Sequence, residues 1–206
     1  MNARLLVLVT LGLFPVVGGA QSPAPDSVVY DLAPPPSSHL VVRTGKAGLL
    51  GFAGHEHLIE AREFSGRIVY YPHQPEASHV TVSIATERLE VLTPPDTAEI
   101  RKVSAAMRAD VLDAAHYPEI TLTSQAVEQA GDTLRTQAAL TIKGQTRTVP
   151  LTVRVRIGSD TLHATTRFTV RQSDYGIRPY RSGPGGTVRV ADAVTFDIDA
   201  IALRRP

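Results

Sequence analysis

The most regular pattern in this chain is an alternation of apolar and polar residues that recurs mainly in its second half. In SHVTVSIAT, for example, Val80, Val82 and Ile84 share one parity and Thr81 and Ser83 take the other. Such alternation places one face of a strand against a core and the other towards solvent. The segments that show it, each predicted to be a half-buried strand, are residues 80–84, 120–122, 134–142, 149–157, 162–170 and 194–200.

Short turn signals separate these strands. They are Gly131-Asp132, Lys143-Gly144, Gly158-Ser159-Asp160 and Gly183-Pro184-Gly185-Gly186. Short turns between consecutive strands predict an antiparallel meander. A meander of about eight strands with one apolar face is expected to close on itself, because closure removes the exposed sheet edges.

One segment, from Pro95 to Ala115, breaks the alternation. Its apolar residues follow steps of three and four, which is typical of an amphipathic helix. These residues are Ile100, Val103, Met107, Val111 and Leu112. Asp96 or Thr97 is placed to cap the start, and His116-Tyr117-Pro118 is expected to end the helical segment. The predicted fold class is therefore all-β with a helical insertion: a single antiparallel β-barrel of about eight strands with a helical segment near one end.

The N-terminal segment MNARLLVLVTLGLFPVVGGA has the build of a secretory signal peptide, with cleavage expected after Ala20. Its apolar run is shorter than the roughly 20 residues that a membrane-spanning helix needs, so the mature chain is expected to have no integral membrane segment. We therefore expect residues 1–20 to be a signal peptide, residues 21–27 to be a disordered lead, and residues 28–204 to form the barrel domain. The protein is expected to be exported, to the periplasm or outside the cell.

Composition and charge exclude several function classes. The chain contains no Cys, which excludes disulfides, thiolate metal sites and a Cys nucleophile. Its 21 basic and 20 acidic residues balance once Arg4 is removed with the signal peptide. Net charge therefore gives no indication of nucleic acid or an anionic membrane surface as a partner, and we expect no nucleic-acid binding. The sequence does not indicate an oligomeric state.

Four motifs, in their order and spacing, resemble the YceI-like, polyisoprenoid-binding family of exported bacterial barrels. They are EFSGRIVYY (63–71), VLDAAHYPEITLTS (111–124), ALTIKGQTRTVPLTV (139–153) and FTVRQSDYGI (168–177). The resemblance covers the chain from about Val28 to Leu203. The chain departs from the family pattern at Ala138-Ala139, where Gly-Asp is usual, and after Arg101, where Lys102-Val103-Ser104 replaces the common Asp-x-His-Leu.

The resemblance implies a lipocalin-like barrel that binds a long apolar lipid, a polyisoprenoid or isoprenoid quinone, and that is not an enzyme. Burial of an apolar tail is favourable by roughly 25 cal/mol per Å², so few polar contacts are needed. No cofactor is expected other than this isoprenoid lipid as ligand. The residues of inward parity, predicted to contact the lipid, are Val80, Val82, Ile84, Ile120, Leu122, Ala138, Leu140, Ile142, Leu151, Val153, Phe168, Val170, Phe196 and Ile198.

Barrels of about eight strands either hold one ligand or fill themselves with side chains. The absence of Trp and the 5% content of aromatic residues favour an interior with space. A ligand-free structural or stress-response barrel with a packed interior remains the alternative.

Two histidines, His55 and His57 in GHEHL, are candidates for chemistry at the barrel mouth. Residues two apart on a strand lie on the same side, so both imidazoles could bind one divalent ion. A metal-binding protein or metal-dependent enzyme would need a further ligand, for which His116 and Asp174 are the candidates. We favour the other interpretation, in which the pair lies at the barrel rim and hydrogen-bonds to backbone or to a lipid headgroup.

Asp174, in the sequence SDYG, is predicted either to join this rim or to cap a turn with Ser173, since Ser-Asp before a glycine is typical of turns. Arg101 and Arg108 share a helix face and are expected to be solvated, with a lipid headgroup as the alternative contact. No nucleophile elbow is present, and SGPGGT precedes a strand, so it does not predict a phosphate-binding loop. No catalytic residue is predicted.

Overall fold

The computed structural model describes residues 26–47, 56–92, 97–179, 181–182 and 188–206. The strands in these residues form one antiparallel sheet. They are β1 Val28–Leu32, β2 His39–Ala47, β3 His57–Ala61, β4 Phe64–Tyr70, β5 His79–Ala85, β6 Leu89–Val91, β7 Glu119–Ala130, β8 Thr133–Ile142, β9 Gln145–Ile157, β10 Thr161–Arg171, β11 Arg181–Ser182 and β12 Val188–Arg204.

Eight of these strands close into a barrel in the order β1-β4-β5-β7-β8-β9-β10-β12, and β1 pairs back onto β12. The prediction of a single antiparallel barrel is confirmed. The long strand β12 pairs with β1 near its C-terminal end and with β2 towards its N-terminal end. The strands β2, β3 and β6 therefore extend the wall beyond the closed barrel at one end.

The helical segment lies at that end. Helix α1 spans Thr97–Ala106 and continues into a π-helical turn, Met107–Val111. Its predicted apolar residues pack against the main core, so the amphipathic pattern and the position near one end are confirmed. The helix begins at Thr97, so Thr97 is not its cap, and Asp96 lies outside the described residues. The helical segment ends at Val111, before the predicted stop at His116, because Asp113 takes a positive φ of 51°.

The register of the ladders places the alternating apolar residues on one shared, inward face. Val82 lies opposite Leu122, and Leu122 lies opposite Leu140 on the next strand. Between β10 and β12, Phe168 stacks on Phe196 with ring centroids 4.8 Å apart. A smaller core, built on Tyr30, Leu162 and Ala202, fills the end of the barrel away from the helix.

The structure explains why the EFSG motif ends in a glycine, Gly66. It lies on the inward face of β4, opposite Val82. A Cβ at this position would come within 2.8 Å of Leu32 Cγ. The missing side chain therefore leaves room for Leu32, which packs against the smaller core.

One ladder of the barrel is incomplete. Pairing between β9 and β10 runs only from the hairpin turn to Val153 opposite Thr166. Beyond that point, in the residues that the structure describes, no ladder pairing joins 145–152 of β9 to 167–171 of β10. We call this gap the seam. The Thr166 hydroxyl donates to the Thr152 carbonyl at 2.9 Å and so ends the paired part of the ladder.

The predictions for the signal peptide, for residues 21–25 and for the glycine-rich turn at 183–186 lie outside the described residues. Within the described ranges, no helix has the length and hydropathy needed to cross a membrane.

Candidate functional site

A cavity of about 110 Å³ lies inside the barrel at the end that carries the helix. Its walls come from the inward faces of the strands, its roof from the π-helical turn, and one corner from the turn that follows β10. The lining residues are Leu40, Val42, Thr44, Ile59, Ala61, Ile84, Leu89, Met107, Val111, Leu112, Ile120, Ile142, Val170, Gln172, Tyr175, Ile177, Val194, Phe196 and Ile198.

The cavity wall is almost entirely apolar. Among the described residues that line it, none is Asp, Glu, Lys, Arg or His. Three are polar: Thr44, Gln172 and Tyr175. The Thr44 hydroxyl accepts a hydrogen bond from the His57 amide at 3.1 Å, and the Gln172 amide donates to the Ala191 carbonyl at 2.8 Å. A charged group placed here would lose its hydration without gaining an opposite charge, so the site suits an uncharged apolar ligand.

Tyr175 is the exception among these polar residues. Its side chain is 1% exposed, and its hydroxyl has no hydrogen-bond partner among the described residues. Burial raises the pKa of this phenol, and the nearby Asp174 carboxylate adds to the rise while Arg147 opposes it. The phenol is therefore uncharged at neutral pH.

The turn that carries Tyr175, Gln172–Tyr175, is fixed to the barrel by a carboxylate that the sequence did not single out. The Ser173 amide and hydroxyl both donate to Asp192, at 2.8 and 2.7 Å. These two hydrogen bonds lower the pKa of Asp192. Gly176 follows with φ of 69°, a conformation that favours glycine, and the Ile177 amide closes the turn on the Gln172 carbonyl.

The predicted interior residues fall into two groups. Six of them line the cavity: Ile84, Ile120, Ile142, Val170, Phe196 and Ile198. The other eight lie on the inward parity outside the cavity wall: Val80, Val82, Leu122, Ala138, Leu140, Leu151, Val153 and Phe168. Ala138 and Leu140, in the second group, are 0% and 2% exposed, and we expect this part of the interior to be packed. Contact of either group with a lipid remains a prediction.

His57 lies at the rim of the cavity. It is opposite Thr44 in the β2–β3 ladder and shares the face of β3 that carries Ile59 and Ala61, both of which line the cavity. His55 lies outside the described residues. Asp174 is exposed and is not part of the cavity wall, and the turn that holds it is anchored by Asp192 instead. The headgroup role of all three remains a prediction.

The metal hypothesis gains no support from the described part of the chain. There, no group of three or more His, Cys, Asp or Glu side chains could hold an ion. His116, the proposed third ligand, is 78% exposed and pairs with Asp113 at 2.7 Å. Because His55 is not described, the pair of His55 and His57 remains untested.

Sequence reasoning missed the part of the cavity wall formed by β2 and β3. These strands contribute Leu40, Val42, Thr44, Ile59 and Ala61. The alternation is hidden there because outward positions are also apolar, as in LVV at 40–42 and LI at 58–59. The arginines and threonines that mark the outward face of β9 and β10 have no equivalent at these positions.

Comparison with protein families and curated proteins gives one consistent result. The model of the YceI-like domain matches residues 38–202. Protein YceI of Escherichia coli O157:H7 is 32% identical over 94 residues, which are 46% of this chain and 46% of that protein. Protein YceI of Shigella flexneri is 31% identical over the same length. The chain thus spans less than half the length of the curated relatives it matches.

Solved structures share the fold at low sequence identity. Burkholderia cenocepacia BcnA superposes with a TM-score of 0.64 at 19% identity, covering 80% of this chain and 95% of BcnA. A polyisoprenoid-binding domain from Saccharophagus degradans, implicated in plant cell wall breakdown, gives a TM-score of 0.62 at 12% identity and covers 85% of this chain and 98% of that domain. At these identities the likeness is one of architecture.

Proposed function

The chain belongs to the YceI-like family, and from that membership we propose that it is an exported, non-enzymatic protein that binds a long apolar lipid, a polyisoprenoid or isoprenoid quinone, inside its barrel. The observation that carries the proposal is the cavity under the helical segment, whose described lining residues include no ionisable group other than Tyr175. The polyisoprenoid-binding domain of Saccharophagus degradans, which has the same architecture, supports the choice of ligand class.

The size of the cavity bears on how such a lipid would fit. At about 110 Å³ it is smaller than the roughly 150 Å³ that accommodates a benzene molecule in an engineered core, so it holds about one five-carbon isoprene unit. Burial of five carbons contributes about 4 kcal/mol, equivalent to a Kd near 1 mM. Tight binding of a long chain therefore requires the interior to widen and to bury further units.

Export is part of the proposal. Residues 1–20 have the charge, the apolar run and the small residues of a signal peptide. N-terminal sequencing of the protein from its native host should begin at Gln21. A mature protein that still carries the apolar segment Leu5 to Val17 would contradict export by cleavage.

The direct test is organic extraction of the protein purified from its native host, followed by mass spectrometry. We expect an isoprenoid lipid in about stoichiometric amount, and a large loss of it from Ala61→Leu, which fills the cavity. Ala61 is chosen because it lines the cavity and is 2% exposed. Recovery of no lipid from the native protein, together with no uptake of added polyisoprenoid in vitro, would overturn the proposal.

A further inference from the structure

The seam between β9 and β10 is a gap in the hydrogen bonding of the wall that faces the cavity end of the barrel. The strand segments on its two sides are regular, yet each pairs only with its other neighbour: 145–152 with β8 and 167–171 with β12. Separating these two segments breaks no ladder hydrogen bond. The seam is therefore the place where this wall can open at the smallest cost in hydrogen bonds.

Pro150 gives a chemical reason for the seam. It lies in the middle of the unpaired part of β9, and the β8–β9 ladder runs through it without interruption, opposite Gln137. Proline has no backbone N–H and is found in sheets where its nitrogen faces no partner strand. A proline here favours an open edge on the β10 side.

Side chains close the seam where the backbone does not. On the inward parity, Leu151 and Val149 stand on one side and Phe168 on the other, and all are at least partly buried. The Gln172–Tyr175 turn packs against β9, β10 and β12 and so spans the upper end of the seam. Phe168 in turn stacks on Phe196, which lines the cavity, so apolar side chains connect the seam with the cavity wall.

We propose that the seam is the port through which the apolar lipid enters and leaves the barrel interior. The inference rests on the proposed lipid-binding function and adds the route. It also accounts for the size of the cavity, because strands that separate at the seam widen the interior for a chain longer than one isoprene unit.

Bridging the seam tests the route. The chain has no Cys, so Pro150→Cys/Thr169→Cys supplies the only thiols, on the outward faces of the two unpaired segments. The double variant is treated with a short bis-maleimide, which links the strands, or with N-ethylmaleimide, which leaves them free. The matched control is the double variant Thr123→Cys/Ala139→Cys, which is linked with the same bis-maleimide. Its two positions are register partners on the β7–β8 ladder, away from the seam.

The probe is radiolabelled solanesol, a long polyisoprenoid alcohol, supplied in vesicles of phosphatidylcholine and phosphatidylglycerol. We expect the bridge across the seam to slow solanesol uptake by about tenfold or more, because the two strands can no longer separate. The seam variant treated with N-ethylmaleimide and the bridged β7–β8 variant should both take up solanesol at the rate of the wild type. Equal uptake with and without the seam bridge would overturn the port. Failure of the wild type to take up solanesol even from cyclodextrin would instead refute lipid binding itself.

Discussion

A leucine placed at Ala61 should distinguish free space in the barrel from packed core. Ala61 lies on β3 opposite Leu89 and lines the cavity, while Ala138 lies on the inward face of β8 opposite Ser124 and Val149, outside the cavity. Both alanines are almost fully buried, at 2% and 0% exposure. The same substitution, Ala to Leu, therefore adds the same atoms to two different environments.

The expected effects on the free energy of unfolding have opposite signs. At Ala61 the three added carbons can enter a cavity of about 110 Å³, and full burial would add at most about 2.4 kcal/mol. Rotamer restriction and imperfect fit reduce this gain, so we expect Ala61→Leu to change stability by between about 0 and +2 kcal/mol. Ala138 is fully buried and lies outside the cavity wall, so we expect overpacking there to cost about 1 to 3 kcal/mol.

Urea unfolding followed by far-UV circular dichroism measures both variants against the wild type. The midpoints can be compared directly if the m-values agree. Solanesol uptake is measured on the same preparations, and we expect Ala61→Leu to lose it while it remains folded. A loss of stability at Ala61 equal to that at Ala138 would show that the cavity is not usable space and would refute the reasoning behind the binding site.

Three further predictions concern single contacts. Gly66→Ala should lower the free energy of unfolding by about 1 to 3 kcal/mol, since its Cβ would meet Leu32, and Leu32→Ala in the same chain should relieve part of the clash in urea unfolding. Tyr175→Phe should raise stability by about 1 kcal/mol, because it removes a buried hydroxyl without a described partner. The pKa of Asp192 is lowered by Ser173, so its stabilising effect exists above the unfolded pKa of about 3.9 and is lost as pH falls through the folded value. Asp192→Asn should therefore be less stable than the wild type at neutral pH, and the difference between their urea midpoints should vanish in acid.

The strands that the sequence predicted well are those whose outward residues are polar. From β7 to β10, threonines and arginines alternate with Leu, Val and Ile, so the period of two is visible along the chain. On β2 and β3 the outward residues include Val41 and Leu58, so apolar runs conceal the inward parity there. The helix was predictable for the same reason as the better strands, since its polar side is exposed.

The division of the interior into a cavity and a packed middle could not be predicted from parity. Ala138 and Ala61 are equivalent by pattern, because each is a small residue on an inward face. What separates them is the set of neighbours brought by other strands: Ala138 lies between Ser124 and Val149, whereas Ala61 lies opposite Leu89 in the cavity wall. Packing of this kind depends on contacts between residues far apart in the chain.

The structural effect of Pro150 at the seam depends on closure of the barrel. Pro150 by itself indicates a strand edge, and an edge in an open sheet invites pairing with other chains. In the barrel, the edge instead faces β10 and contacts the Gln172–Tyr175 turn, and both β10 and this turn contribute residues to the cavity wall. The paired half of the same hairpin, Val153–Ile157 with Leu162–Thr166, adjoins the smaller core and holds the two strands together. An opening at the seam can therefore pivot about a fixed end, which lets the interior admit a long chain while the rest of the fold stays intact.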